Sequence, residues 1–572
     1  MKFKNIIGGI ACMCALASCE ENMDYHEYSN YDKDYVAESY ESVIGLVTNI
    51  YFKLDYDFGQ IYSGGMLASA SDEAEYAYSS NSICDFTNGS WRASNALSNT
   101  WSASYEAIQC CNQYMDEFQG LTFDDLRLND DYNAQMFRYK NSFYEVRFLR
   151  AYFYFNLVRQ YGAVPYFTEM VTTDNVNSLT RTPALDVFSA IMNECDAIVD
   201  SIPGDYTQLG LFGISPAESG RASKYAVLAL KARTALYAAS PLFNTNNDTE
   251  LWHQAALANK AVIDSCLANG FSLVNYSDLW TSENWSQPEM IFMRRYYGKS
   301  DVNSNVLEKY NYPIGIDGGA SGNCPSQNLV DAYEMQTTGK AWDEDGSGYD
   351  SENPYENRDP RFGMTIVKNG DTKWPAYNTE AIQTYYGGSN GEPASGATPT
   401  GYYLKKYLIP SIDLRSTSTN TSAKHTWITY RLGEFYLNYA EAVFKYLGSA
   451  DATSAEFPMS AIEAVNYIRK RTDVQMPEFS TGLSNNDFWK KYQNERMVEL
   501  AFEGHRFYDL RRWKEGEKLS SLTEMKLTKN NDGSISYIRN VVSRVWDEKM
   551  YFFPIPQSER SKNSNLDQNP GW

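Results

Sequence analysis

The chain has 572 residues, with 50 Lys and Arg against 72 Asp and Glu, and a net charge of −22 at pH 7. That balance excludes the basic face of a nucleic-acid binder and simple electrostatic docking on anionic lipid. Aromatic residues make up 15% and charged residues only 21%, which excludes a disordered acidic chain as well.

Residues 1–18 join Lys2 and Lys4 to the apolar run Ile6 to Leu16, the pattern of a signal peptide too short to span a bilayer. Leu16-Ala17-Ser18-Cys19 has the form of a lipobox, which predicts lipid on Cys19 and hence a lipid anchor in a membrane. Residues 19–35 are polar and aperiodic and read as a tether. The body, 36–572, opens with helical patterns at 36–54 and 94–118. Residues 136–160 are the clearest: Phe143, Val146, Leu149, Phe153 and Leu157 recur at spacings of three and four. Helices are further predicted over 183–201, which opens on Thr182-Pro183, and over 221–240, 251–268, 427–447, 458–471 and 486–512.

Between about 271 and 426 that periodicity is lost, and Gly, Asn, Ser and Pro punctuate the chain. The expected architecture is therefore mainly α. A helical scaffold (about 36–270 and 427–572) would carry an irregular insertion of loops and short strands (about 271–426), where binding sites tend to sit. Ala151-x3-Phe155, Ala232-x3-Leu236, Ala440-x3-Phe444 and Ala464-x3-Ile468 each set a small residue one turn before a bulky one, as helix pairs of the TPR type require. Generic helix packing fits the same spacing. Cys84, Cys110, Cys111, Cys195, Cys266 and Cys324 form no CxxC pair or Cys/His cluster, so buried thiols are expected and a zinc site is not.

Several segments together resemble the RagB/SusD family of outer-membrane nutrient-binding lipoproteins. They are Phe148 to Pro165 (FLRAYFYFNLVRQYGAVP), Arg358-Asp-Pro-Arg-Phe362, Arg431 to Ala442 (RLGEFYLNYAEA), Glu495 to Trp513 (ERMVELAFEGHRFYDLRRW), Tyr551-Phe-Phe-Pro-Ile-Pro-Gln, and Asn563 to Trp572. The resemblance implies a SusD-like, TPR-like helical-pair scaffold under an irregular ligand-binding face. It also implies a partner, a SusC-like TonB-dependent transporter. The acidic pair Glu20-Glu21 after the lipobox resembles a surface-export signal of lipoproteins in glycan-foraging bacteria, which implies a cell-surface location on the outer membrane. Within Glu495–Trp513 the alternation of Glu495, Glu499 and Glu503 with Arg496 and Arg506 predicts ion pairs along one helical face. His505 is expected to be a buried, hydrogen-bonded residue rather than a base.

A sugar needs flat rings for its C–H faces and polar side chains for its hydroxyls. The resemblance carries the ligand-contacting role onto Trp91 and Asn95, with Asp72 and Arg92 as polar partners. The alternative for Trp91 is a ring packed under its loop. Trp280, Trp285, Tyr296 and Tyr297 are candidates for a second aromatic wall, and Cys324 and Tyr402 lie in loops of the same region. Asp343-Glu-Asp345-Gly346-Ser-Gly-Tyr-Asp350 has the closely spaced carboxylates of a calcium loop but not its twelfth-position Glu. A solvated acidic turn is favoured there and no cofactor is expected, with Ca2+ at Asp343, Asp345 and Asp350 left open. The function expected is non-catalytic capture of an oligosaccharide and its delivery to the transporter. The alternatives are the same fold binding peptides, or a glycoside hydrolase, which needs two positioned carboxylates.

Overall fold

A computed structural model describes residues 33–54, 57–58, 62–206, 220–294 and 303–572. The expected signal peptide, the lipidation site Cys19, most of the tether, and Tyr296 and Tyr297 lie outside the described residues.

The longer helices are α1 (Tyr40–Phe52), α2 (Thr100–Glu117), α3 (Tyr132–Tyr161), α4 (Ala184–Ile198), α5 (Lys224–Ala239), α6 (Thr249–Ala268), α7 (Leu432–Leu447), α8 (Ala461–Arg469), α9 (Asn485–Glu499) and α10 (Arg506–Arg512). From α2 onward each packs on the next as far as α8, and α6 meets α7 across the insertion. The small-before-large pairs serve this stacking: Ala151, Phe155, Ala232, Leu236, Ala440, Phe444, Ala464 and Ile468 are all buried in one continuous core. Helix starts follow from local chemistry. Ser460 and Glu463 close a reciprocal capping box on α8, and the Ser223 and Asp248 side chains accept the first free N–H groups of α5 and α6.

A second core joins the insertion to the end of α9. Tyr276, Tyr312, Leu329, Tyr333, Phe362 and Tyr402 pack there with Val498 and Phe502. The insertion carries only short elements. Strand β1 (Ala74–Tyr76) pairs antiparallel with β3 (Asn323–Pro325), and β2 (Met290–Arg294) pairs with β4 (Trp427–Arg431). The helix expected over 427–447 therefore starts only at Leu432. Trp427-Ile-Thr-Tyr-Arg431 is aromatic and β-branched, and all five residues are buried in the ladder. The helix expected over 486–512 is also two helices. Phe502 and Gly504 take left-handed backbone angles (φ +61° and +75°), which break α9 from α10 and turn Glu503 inward. A hairpin, β5 (Ser521–Lys529) and β6 (Ile535–Ser543), follows α10, with Gly533 at φ +90° in its turn.

Glu495, Glu499 and Glu503 do not pair with Arg496 and Arg506 along a helical face. They form a buried network to distant parts of the chain. Glu499 accepts from Arg431 (2.8 Å), Arg471 (2.9 Å) and Arg361 (3.0 Å), and Glu495 from Arg361 (2.7 Å) and Arg469 (2.6 Å). Arg431 also reaches Glu289 (2.9 Å) and Glu503 (2.8 Å), and Arg496 and Arg512 share Asp509 (2.7 and 2.8 Å). Burial alone would push the Glu499 carboxyl upward, but the three guanidinium groups overcome it and hold the pKa down at about 2. Among the described residues no helix is long and apolar enough to cross a membrane.

Candidate ligand-binding face

Trp91 offers no face to a sugar. It is 2% exposed, boxed edge-on by Phe86 (4.7 Å, 72°) and Phe553 (4.8 Å, 80°) and tilted against Trp572 (5.0 Å). The packed alternative describes it. Asp72 is also interior: both its oxygens accept from Arg506 at 2.8 Å, in a fork-to-fork pair. Burial works to raise its pKa, and the Arg506 charge and hydrogen bonds outweigh that and lower it. Trp280 is buried under the Lys406 ammonium (3.8 Å) and edge-on to Tyr407 (5.0 Å). Cys324 is fully buried in β3 opposite Glu75, its thiol pushed up to about 12 by burial, and Tyr402 is fully buried with its hydroxyl donating to Gln327 (2.6 Å). Trp285 is half-buried against the second core. The resemblance points to Trp91 and Asp72, and loop-rich sequence to Trp280, Trp285, Cys324 and Tyr402, yet a large ring in a loop is as often what pins the loop down.

Arg92 is exposed and Asn95 half-buried, and their backbones bridge each other. Around them the chain builds a polar face with two accessible rings. The Asn95 amide donates to Asp85 (3.4 Å), and Asn88 donates to the other Asp85 oxygen (3.0 Å). Asn81 caps the short turn Ser82–Phe86 by accepting from the Ile83 N–H (2.9 Å), while its amide donates to the Ser63 carbonyl (3.2 Å). Tyr76, at the end of β1, lies 6.3 Å from Tyr78, which is half-buried. Tyr310, also half-buried, closes over Gly64. A Cβ there (φ +104°) would stand 2.5 Å from the Tyr76 hydroxyl and 2.9 Å from the Tyr310 ring, so only glycine fits. Gly396 has the same relation to the Tyr78 hydroxyl. Tyr78 and Tyr310, with Asn81, Asp85, Asn88 and Asn95, make flat apolar patches bordered by amides and a carboxylate. That combination suits a neutral polyol better than an ion. Tyr78 stood out in the sequence only as a ring inside the Ser- and Asn-rich run 78–82. No linear spacing ties Tyr310 to residues 64–95.

A further half-buried ring, Trp342, was not anticipated. Arg539 covers one of its faces at 3.7 Å and is itself held by Asp331 through two bonds (2.5 and 2.6 Å). The Tyr349 ring also packs against it, centroid to centroid 5.4 Å at 67°.

Asp72 and Glu73 superficially match an acid/base pair, because their pKa values are driven apart. Burial, followed by the neighbouring Asp72 charge, pushes Glu73 up to about 8, while Asp72 is lowered. Both are interior, at 1% and 5% exposed, and Glu73 accepts from the Phe502 N–H (3.4 Å). Substrate has no route to either. Asp343, Asp345 and Asp350 are exposed. Asp350 is occupied by the Glu352 N–H and the Asn353 amide, and the Asp345 carbonyl by Lys340. Among the described residues no group of three or more His, Cys, Asp or Glu side chains is disposed to hold a metal ion.

Set on a stacked-helix scaffold, this irregular face defines the class of the protein. The model of the SusD family matches residues 288–572, and a model described as starch-binding associating with outer membrane matches residues 22–236. The chain belongs to the SusD-like family. It is 24% identical to SusD-like protein P25 of Formosa agariphila over 548 residues, 90% of each chain. Among solved structures it resembles a SusD-like protein of Bacteroides fragilis, with TM-score 0.74 and 24% identity over 94% of this chain and 98% of that one. A SusD-like carbohydrate-binding protein of the same organism superposes with TM-score 0.73 at 23% identity, covering 93% and 100% of the two chains. A laminarin-binding SusD-like protein superposes with TM-score 0.63 at 21% identity, covering 93% and 99%.

Proposed function

We propose that the chain is a non-catalytic glycan-binding protein at the outer membrane. Lipid on Cys19 holds it there, facing the cell surface, and it passes captured oligosaccharides to a SusC-like TonB-dependent transporter. One observation carries the reading: the half-buried rings of Tyr78 and Tyr310 share a face with an amide-rich rim. Support comes from the family, whose solved members include a carbohydrate-binding and a laminarin-binding protein. Shallow stacking on such rings gives modest affinity per sugar unit, and longer chains gain by occupying several contacts at once.

Calorimetry against neutral oligosaccharides (α-glucan, β-glucan and fructan) and a peptide panel tests this, with chromatography of the sugars after incubation. Binding of a glycan recovered intact is the expected result. Peptide binding alone, or steady release of shorter sugars, overturns it.

A further inference from the structure

The first half of α3 leaves one stripe uncovered. Asn133, Met136, Lys140, Phe143, Tyr144 and Arg147 recur at spacings of three and four and so share a helical face. All six are exposed or half-buried, while Ser142, Val146 and Leu149, turned the other way, are buried. With Met115 near the end of α2 and Leu121 in the loop beyond it, the stripe lines an open groove of about 800 Å3, a size that suits a small ligand. At 1.5 Å of rise per residue the stripe runs for about 21 Å, the reach of an oligomer rather than a single unit. Hydrogen bonds pin the loop at the rim, so it does not fill the groove. The Tyr132 hydroxyl donates to the Thr122 carbonyl (2.7 Å), and the Tyr139 hydroxyl donates to the Phe118 carbonyl (2.5 Å) while accepting from the Leu121 N–H (3.0 Å). In a chain of net charge −22, no carboxylate lines this groove. Arg147 is answered from α4, its fork paired with Glu194 (2.8 and 2.9 Å). Lys140 is not: among the described residues its ammonium makes no ion pair or hydrogen bond. The Asn133 amide and the Tyr144 hydroxyl on the same wall are likewise without hydrogen-bond partners among the described residues.

We propose that this groove is a second carbohydrate site, taking an acidic oligosaccharide of the uronate class. A carboxylate meets the Lys140 ammonium, the adjoining sugar faces lie on Tyr132, Phe143 and Tyr144, and Asn133 takes a hydroxyl. A purely apolar ligand would strip water from Asn133 and Tyr144 without replacing it, and a neutral glycan would gain nothing from Lys140. The groove shares no residue with the face of Tyr78 and Tyr310 and differs from it in chemistry, because it offers a free cation.

Calorimetric titration with tetragalacturonate and with its methyl ester tests it, since the ester removes the charge and keeps the sugar backbone. The acid should bind, and the ester should bind about two- to fivefold more weakly, the scale of one solvated ion pair. Lys140→Gln alters an exposed side chain, so the fold is kept, and it should weaken the acid by the same factor while leaving the ester unchanged. Tyr78→Ala should leave tetragalacturonate binding as it is, and Lys140→Gln should leave neutral-glycan binding as it is, so the two sites fail separately. A soaked crystal should show tetragalacturonate along the first half of α3. Absence of tetragalacturonate binding, full affinity in Lys140→Gln, density only at Tyr78 and Tyr310, or uptake of hexaglutamate in place of the sugar each overturns the proposal.

Discussion

Trp91→Ala separates a structural ring from a binding ring. The side chain is 2% exposed, so folding removes nearly all of it from water. A Trp buries about 200 Å2, and at about 25 cal/mol per Å2 the transfer contributes about 5 kcal/mol. Truncation leaves a hole among Phe86, Phe553 and Trp572, and such losses run to about 3–5 kcal/mol after partial collapse. For 572 residues unfolding together at about 2.1 cal/mol/K per residue, this lowers the thermal midpoint by about 2–4 °C. Scanning calorimetry reads the loss, and titration calorimetry below the transition reads glycan affinity, which should stay within about twofold of wild type. Trp91→Phe should recover part of the stability. An unchanged midpoint with affinity abolished would refute the reasoning and restore Trp91 as a sugar platform.

Other outcomes follow from the same geometry. Tyr78→Ala and Tyr310→Ala should each weaken oligosaccharide binding by about 0.5–1.5 kcal/mol with little change in midpoint; unaltered affinity in both would move the site elsewhere. Glu499→Gln removes the carboxylate shared by Arg361, Arg431 and Arg471, at a cost of about 3–5 kcal/mol at pH 7 in urea titrations. Because the folded pKa of Glu499 is depressed to about 2 from 4.5, its stabilisation is present above pH 4.5 and fades as pH falls toward 2. The deficit of the variant should therefore shrink in acid, and a constant deficit would count against the assignment. Glu73 shifts the other way, to about 8, so the folded state keeps a proton that the unfolded chain loses above pH 4.5. Its contribution is full below pH 4.5 and lost as pH rises to 8, and Glu73→Gln should gain on wild type between pH 5 and 8 in the same titrations.

The long helices were legible because their apolar positions repeat over many turns, as Phe143 to Leu157 do on α3. The short strand Trp427–Arg431 was not, since five buried residues in a row show no alternation. The hairpin Ser521–Ser543 has a readable turn in Asn-Asp-Gly, but its strands carry no strict apolar alternation to set them apart from the helical motifs around them. The partners of Glu495 and Glu499 were beyond reach for a different reason: helical spacing proposes neighbours one turn away, whereas Arg361 stands 134 residues from Glu495. At the candidate face, Asn95 and Arg92 were located by resemblance, while Tyr310 arrives there only through the pairing of β1 with β3 and the close approach permitted by Gly64.

The packing of residues 551–572 against the early part of the chain constrains the order of assembly. The Trp572 indole donates to the Lys549 and Phe552 carbonyls and its ring closes on Trp91, while Arg181 holds Asn569 (2.5 Å) and the Asp567 carbonyl (2.9 Å). A chain made from its N-terminus presents the pocket around Phe86 and Trp91 about 480 residues before the rings that seal it. At ~5–20 residues per second that interval is roughly 25–95 s. Throughout it an apolar patch on the nascent helical stack stands open to holding chaperones, to proteases and to neighbouring copies. Completion of the last two dozen residues is the step that withdraws it.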